Sequence, residues 1–253
     1  MAEDRSTGEQ VHADLLGVAQ DIGLAISRLS TEERLARADG HPDQYALDLI
    51  ADAAAVPTLL RAGYSVHSEE SGLHQAGRPI TVVLDPIDGS SNCSRDFPAY
   101  GPSICAVDTM GPLAAVVSNL ATDRTYSALR GAGAWLNGVK IEVSSHRELD
   151  RAWLHVDLYD SELNESSWVR NLGASAHGMS LVADGTLDGY VDVVSRQAPW
   201  DYLGASLLIE CAGGVVSSIG PRVAYEAGDA ALRRIVAAGT VELSELLQSL
   251  TGA

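Results

Sequence analysis

Asp85 and Asp88 stand three residues apart in Asp85-Pro86-Ile87-Asp88-Gly89-Ser90-Ser91-Asn92, directly behind the apolar run Ile80-Thr81-Val82-Val83-Leu84. The run reads as a buried strand that delivers the two acids at its end. Carboxylate oxygens select hard cations such as Mg²⁺. The Gly-Ser-Ser that follows can open a helix, whose first backbone N–H groups lack partners and favour an anion. A cation site beside an anion site suits a phosphate ester, so the motif points to a metal-dependent phosphatase. Asp-Pro and Asp-Gly are also ordinary turn dipeptides, and this pair alone fits a plain turn about equally well. Two further acidic sites shift the balance. Glu69-Glu70 follows a second alternating run, Tyr64-Ser65-Val66-His67-Ser68, and Asp201 follows Trp200 at the start of a predicted helix. There its charge also complements the helix dipole. Acids at the ends of three elements can converge on one metal cluster, as acids spread through helix interiors could not.

The elements that position these residues follow from periodicity. Val11, Leu15, Val18, Ile22, Ala25, Ile26 and Leu29 predict a helix over about 9–29. A broken acidic stretch and a turn at Asp39-Gly40-His41-Pro42 follow. A second helix is expected over about 44–55, with Leu47, Ile50, Ala51 and Ala54 inward, Asp48 and Asp52 on a neighbouring face, and Pro57 limiting its continuation. Runs at 103–107, 113–118 and 125–129 predict a meander, and Asn137-Gly138 suits a hairpin turn. Beyond it the rhythm alternates strand and helix: strands at 153–158 and 189–194, helices from about 175 and 201, Gly213-Gly214 as a stop, and a strand from Val215. We divide the chain into an α+β part, 1–145, and an α/β part, 146–253, packed as one compact unit, with the cut near 143–151.

Composition narrows the class. A chain of 253 residues with 46 % hydrophobic content can bury a real core. A net charge of −17 argues against nucleic-acid or anionic-membrane partners, and two or three cations would leave most of that charge as solvated surface. Cys93, Cys105 and Cys211 have no metal or disulfide spacing and read as free thiols. The polar N-terminus is not a signal peptide, and no apolar run reaches membrane-spanning length, so a cytoplasmic protein is expected.

Glu69-Glu70-Ser71, the Asp85–Asn92 motif and Trp200-Asp201, in that order, resemble the inositol monophosphatase family. This is the Mg²⁺-dependent, lithium-sensitive superfamily that includes the fructose-1,6-bisphosphatases. Arg95-Asp96-Phe97-Pro98 and Arg130–Gly138 resemble family segments too. The resemblance implies a layered α-β-α-β-α sandwich, commonly homodimeric, acting on a small sugar, cyclitol or related phosphate. Fructose 1,6-bisphosphate and nucleotide 2′- or 3′-phosphates (adenosine bisphosphate, NADP) are the alternatives, and a non-catalytic relative acting through a partner is the competing class. It implies two or three Mg²⁺ ions held by Glu69, Asp85, Asp88, Asp201 and the carbonyl of Ile87. Phosphate would sit on the N–H groups of Gly89 and Ser90, beside Ser91. The Ser90 hydroxyl would pair with an upstream acid to orient water, Asp48 being preferred over Asp43. Glu70 would help activate water or hold a third ion, a structural role being equally compatible. Gly173 and Ser175 resemble a segment lining the substrate site, and Asp192 and Arg196 would touch the alcohol portion or a second phosphate. His67 and His177 are read as ordinary partly buried histidines, and Trp200 as packing that orients Asp201.

Overall fold

A computed structural model describes residues 2–39, 41–157, 167–192, 197–219 and 225–250, with side chains described from residue 7 onward and not at 41–43. Helix α1 (Ala2–Ser27) buries Val11, Leu15, Val18, Ile22 and Ile26, the stripe expected from the spacing, and begins earlier than predicted. The acidic stretch expected to be irregular is a one-turn helix, α2 (Thr31–Leu35). It is closed by a capping box in which Glu33 N–H donates to Ser30 Oγ at 3.3 Å and Ser30 N–H donates to Glu33 Oε2 at 2.8 Å. The predicted turn at 39–42 lies in a hairpin, β1 (Arg37–Ala38) with β2 (His41–Tyr45), Gly40 falling outside the described residues.

Helix α3 (Ala46–Arg61) runs on through Pro57, where a break was expected. Pro57 is exposed, and the extra turn seats Leu59 in the core, which favours the continuation. Leu47 and Ala51 are buried as expected, but the buried face is wider and rotated from the expected one. Ile50 is 38 % exposed, whereas Asp48 is only 4 % and Asp52 9 % exposed. The helix turns its two acids toward the protein together with its apolar stripe.

Strands β3 (Ser65–Ser68), β4 (Gly72–His74) and β5 (Thr81–Asp88) follow, then the short helix α4 (Ser90–Cys93). The meander is β6 (Gly101–Asp108), β7 (Gly111–Asn119), β8 (Arg124–Leu129), β9 (Gly133–Leu136) and β10 (Val139–Lys140), each predicted run extended by a few residues. Together they form an eight-stranded sheet ordered β10-β9-β8-β7-β6-β5-β3-β4. Leu136 pairs with Val139 across Asn137-Gly138, both at positive φ (49° and 78°), the two-residue turn that matches strand twist.

The remainder is β11 (Trp153–Val156), β12 (Trp168–Arg170), α5 (Ser175–Ala183), β13 (Gly189–Val191), α6 (Pro199–Cys211), β14 (Val215–Ile219), β15 (Arg234–Ala238) and α7 (Val241–Leu250). Leu158, Val193 and Val194, expected in strands, lie outside the described residues. Its five strands are ordered β12-β11-β13-β15-β14. One core joins α1 and α3 to a face of the large sheet. A second clusters α5 and α6 between the two sheets, with Val83, Met179, Leu208 and Ile235 among its members. A third packs Leu243 and Leu247 of α7 on the outer face of the small sheet. The layers therefore run α-β-α-β-α. All three cysteines are free, with Cys211 half-buried.

Candidate active site

The acids meet because of strand register. Strands β3 and β5 are parallel, with Ser68 opposite Leu84, so Glu69 and Asp85 emerge at the same sheet end. Glu69 N–H donates to the Leu84 carbonyl at 2.9 Å. Across β5 and β6, Asp85 pairs with Ser103 and Asp88 with Gly101, a register shift that places one extra residue in β5. Such a bulge bends the strand and re-aims its side chains, so β5 extends through the motif where an ending at Leu84 was expected. Ile87 N–H donates to Asp85 Oδ1 at 2.9 Å, which fixes the bend.

Gly89 then turns the chain at φ +84°, and a Cβ there would stand 2.6 Å from the Ala99 carbonyl oxygen. Only glycine fits. Asn92 clasps the turn from below, its Nδ2 donating to the carbonyls of Ala99 and Leu172 at 2.8 Å each.

Helices supply the remaining acids. Asp48 comes from the first turn of α3 and Asp201 from that of α6, where Asp201 Oδ2 accepts the Ala198 N–H at 2.6 Å. Asp88 accepts the N–H groups of Ser175 and His177, each at 3.2 Å, and so closes the start of α5. Ser103 Oγ donates to the Trp200 carbonyl at 2.8 Å, pinning α6 to the large sheet. Trp200 is half-buried and meets His67 edge-on at 5.3 Å.

Crowding of like charges perturbs these acids. Burial first, then Glu69, Asp88 and Asp201, pushes the Asp85 carboxyl well above the usual range. Asp48 is pushed up to about 7 by burial, partly offset by the Ser90 hydroxyl. Asp201 rises to about 7 through burial and Asp88. Asp88 reaches about 7 through burial, against the opposing N–H of His177. Glu69 is raised to about 7 by its enclosed carboxyl and then by Asp201, although its outer side is open to solvent. Opposite charge brought into such a cluster is favoured. The donors are all oxygens, and Asp48 Oδ1 is buried without a hydrogen-bond partner among the described residues, so the set fits a hard divalent cation. Among the described residues, no group of three or more histidine, cysteine, aspartate or glutamate side chains stands close enough together to hold a metal ion as placed.

An open cavity of about 890 Å³ lies against this cluster, lined by Asp48, Glu69, Glu70, Gly89, Ser90, Ser91 and Gly173 with Gln44, Tyr45 and Leu49. Ser90 Oγ donates to the Ile87 carbonyl at 3.0 Å. Ser175 stands behind the wall, where its N–H serves Asp88. Asp192 is 0 % exposed and does not line this cavity. It lies near enough to Asp201 to raise that carboxyl. Arg196 and the side chain of Asp43 lie outside the described residues. His67 and His177 are buried, the latter lowered to about 4 by burial.

Three residues support the site, of which the sequence pointed only to Asp52, and without a role. Gln44 donates to Glu70, and Asp52 accepts from Ser68 and Ser71, the latter at 3.2 Å. Asp52, four residues after Asp48 on the same helix, carried a visible signal; Gln44 carried none. Tyr225 binds His67 Nδ1 through its hydroxyl at 2.7 Å, a contact across 158 residues of sequence.

The inositol monophosphatase family profile matches residues 42–251. A fructose-1,6-bisphosphatase/inositol-1-monophosphatase of Methanothermobacter thermautotrophicus is 35 % identical, the match covering 92 % of this chain and 94 % of that one. The Nus factor SuhB of Escherichia coli is 31 % identical over 68 % of this chain and 70 % of its own. A solved Pyrococcus horikoshii structure, described as having similarities to inositol-1 monophosphatase, superimposes with a TM-score of 0.82. It is 26 % identical and covers 92 % of this chain and 95 % of its own.

Proposed function

Because the chain belongs to the inositol monophosphatase family, we propose that it is a Mg²⁺-dependent phosphomonoesterase acting on small sugar or cyclitol phosphates. The observation that carries this reading is the set of raised carboxylates at the shared end of β3 and β5, beside the Gly89–Ser90 turn in an open cavity. In it, Glu69, Asp85, Asp88, Asp201 and the Ile87 carbonyl would hold two or three ions. When bound, they supply positive charge for the phosphoryl oxygens and acidify a water molecule.

The chain's own groups do the rest. Gly89 and Ser90 line the cavity, and their N–H groups would hold phosphate oxygens. The Ser90 hydroxyl donates to Ile87 and is near enough to lower the Asp48 carboxyl, so it would pair with Asp48. Asp48 Oδ1 has no competing donor among the described residues and would accept it. The pair then orients the attacking water and takes its proton, a task suited to a carboxyl whose proton affinity lies near neutrality. Glu70, steadied by Gln44, is the second acceptor at the rim. Asn92 and Asp88 tie the motif to the loop before α5, so Gly173 keeps its place in the cavity wall.

The name of the Methanothermobacter relative supports inositol phosphates and fructose 1,6-bisphosphate as the substrates to try first. Phosphate release across those two, adenosine 3′,5′-bisphosphate and NADP tests the assignment. Turnover of one of the first two is expected, and inertness toward the whole panel in Mg²⁺ would overturn it. The likeness to a Nus factor supports a second reading, in which the chain acts through a partner without catalysis. Such inertness is what that reading requires.

A further inference from the structure

A second cavity, of about 510 Å³, lies where the β6–β7 turn, α6 and the small sheet meet. Its size is that of a small-molecule site. Ser206 of α6 lines it, is 8 % exposed, and leaves its hydroxyl without a hydrogen-bond partner among the described residues. A serine inside a helix ordinarily returns its hydroxyl to the carbonyl four residues back. Ser180 of α5 does so, donating to the Ala176 carbonyl at 2.7 Å. Ser206 does not, and an unmatched buried hydroxyl is costly.

The walls limit what can satisfy it. Tyr202 and Tyr225 line the cavity, and both hydroxyls are engaged, with Arg233 at 2.8 Å and His67 at 2.7 Å respectively. What they add is ring surface. The charges are largely balanced: Asp108 is paired with Arg130 at 2.6 Å and Arg233 with Asp229 at 2.6 Å. Glu210 is a second carboxylate in the lining beside Asp108, and two acids in the wall disfavour an anion.

The cavity also touches the acidic site. Ser206 and Tyr202 share α6 with Asp201. Tyr225 holds His67, which lies two residues before Glu69 and abuts Trp200. We propose that this cavity binds an uncharged heteroaromatic molecule through Ser206, and that its occupation tightens cation binding through Tyr225, His67 and Trp200. The coupling rests on the reading that Glu69 and Asp201 hold a cation; the binding site itself does not.

Nicotinamide, whose amide meets a hydroxyl as donor or acceptor, is the probe, with benzoate as its anionic counterpart. Titration calorimetry of the whole chain should give saturable nicotinamide binding and weaker or no benzoate binding. Ser206→Ala should weaken nicotinamide about three- to tenfold, the worth of one hydrogen bond, and Ser206→Leu should crowd the place beside position 206 and abolish binding there. Saturating nicotinamide should tighten Mg²⁺ about fivefold. In Tyr225→Phe, which keeps the ring and loses the contact to His67, nicotinamide should bind with that gain gone. Absent nicotinamide binding, or binding unaffected by both Ser206 variants, overturns the site. Unchanged or weakened Mg²⁺ affinity overturns the coupling. Nicotinamide binding by a chain that takes up no Mg²⁺ overturns the coupling and the phosphatase reading while supporting the ligand site.

Discussion

Replacing Asp201 with asparagine should stabilise the cation-free protein while removing its activity. The substitution keeps the side-chain shape, and the asparagine Oδ1 can still accept the Ala198 N–H now held at 2.6 Å. What disappears is a charge that the fold opposes, because burial and Asp88 raise this carboxyl from its ordinary 3.8 to about 7. A carboxyl raised on folding binds more protons in the folded state. Its stability is fully present below pH 3.8 and is lost as pH rises through about 7. A difference of that size corresponds to about 4 kcal/mol. The cluster retains part of its protons at pH 8, so we assign about 2 kcal/mol to Asp201 alone. For a chain of this length that is a rise in Tm of about 4–8 °C. Thermal unfolding by circular dichroism in excess chelator at pH 8 and pH 5 is the assay. The variant should melt higher at pH 8, by a margin that narrows at pH 5, and should lose the stabilisation that Mg²⁺ gives the wild type. A variant that melts lower than wild type at pH 8 without cation refutes the idea that these acids are held against their own repulsion.

Ser90→Ala should lower kcat by about 10²–10⁴-fold with little change in KM; Asp48→Asn should match it and the double variant should be little worse, all measured by steady-state phosphate release. A silent Asp48→Asn beside a crippling Asp43→Asn would move the pairing to Asp43. Gly89→Ala should destabilise the fold by about 1–2 kcal/mol and abolish turnover, since the methyl group meets the Ala99 carbonyl at positive φ; urea unfolding would show it. His177, lowered from 6.5 to about 4 by burial, contributes stability that is whole above pH 6.5 and lost as pH falls toward 4. The stability margin of wild type over His177→Leu should therefore shrink by about 3 kcal/mol across that window, and a margin independent of pH would refute the assignment.

Local patterns carried much of the fold. The meander showed itself because β-branched runs alternate with glycine and asparagine turns, and α1 because its stripe is regular over many turns. The capping box at Ser30–Glu33 was legible yet hidden inside an acidic stretch. The apolar stripe of α3 was legible at Leu47 and Ala51, but the burial of Asp48 and the exposure of Ile50 were not, because hydrophobicity gives no reason for either. That reversal makes sense only once the site is assembled. The short strands β12 and β15 likewise depend on partners distant in sequence. For the site, residue types and order were readable at Glu69, Asp85, Asp88 and Asp201. Their convergence depends on the parallel register of β3 and β5, and the clasp of Asn92 on Leu172 spans 80 residues. No local pattern encodes either one.

The most direct test is phosphate release from inositol 1-phosphate and fructose 1,6-bisphosphate with Mg²⁺, after chelation, and on restoring the ion, for wild type and Asp88→Asn. The account predicts hydrolysis that needs millimolar-range Mg²⁺, falls under lithium, vanishes in chelator and returns with the ion, and is absent in a folded Asp88→Asn. Full activity in excess chelator, or a folded Asp88→Asn with wild-type turnover at limiting Mg²⁺, would contradict it.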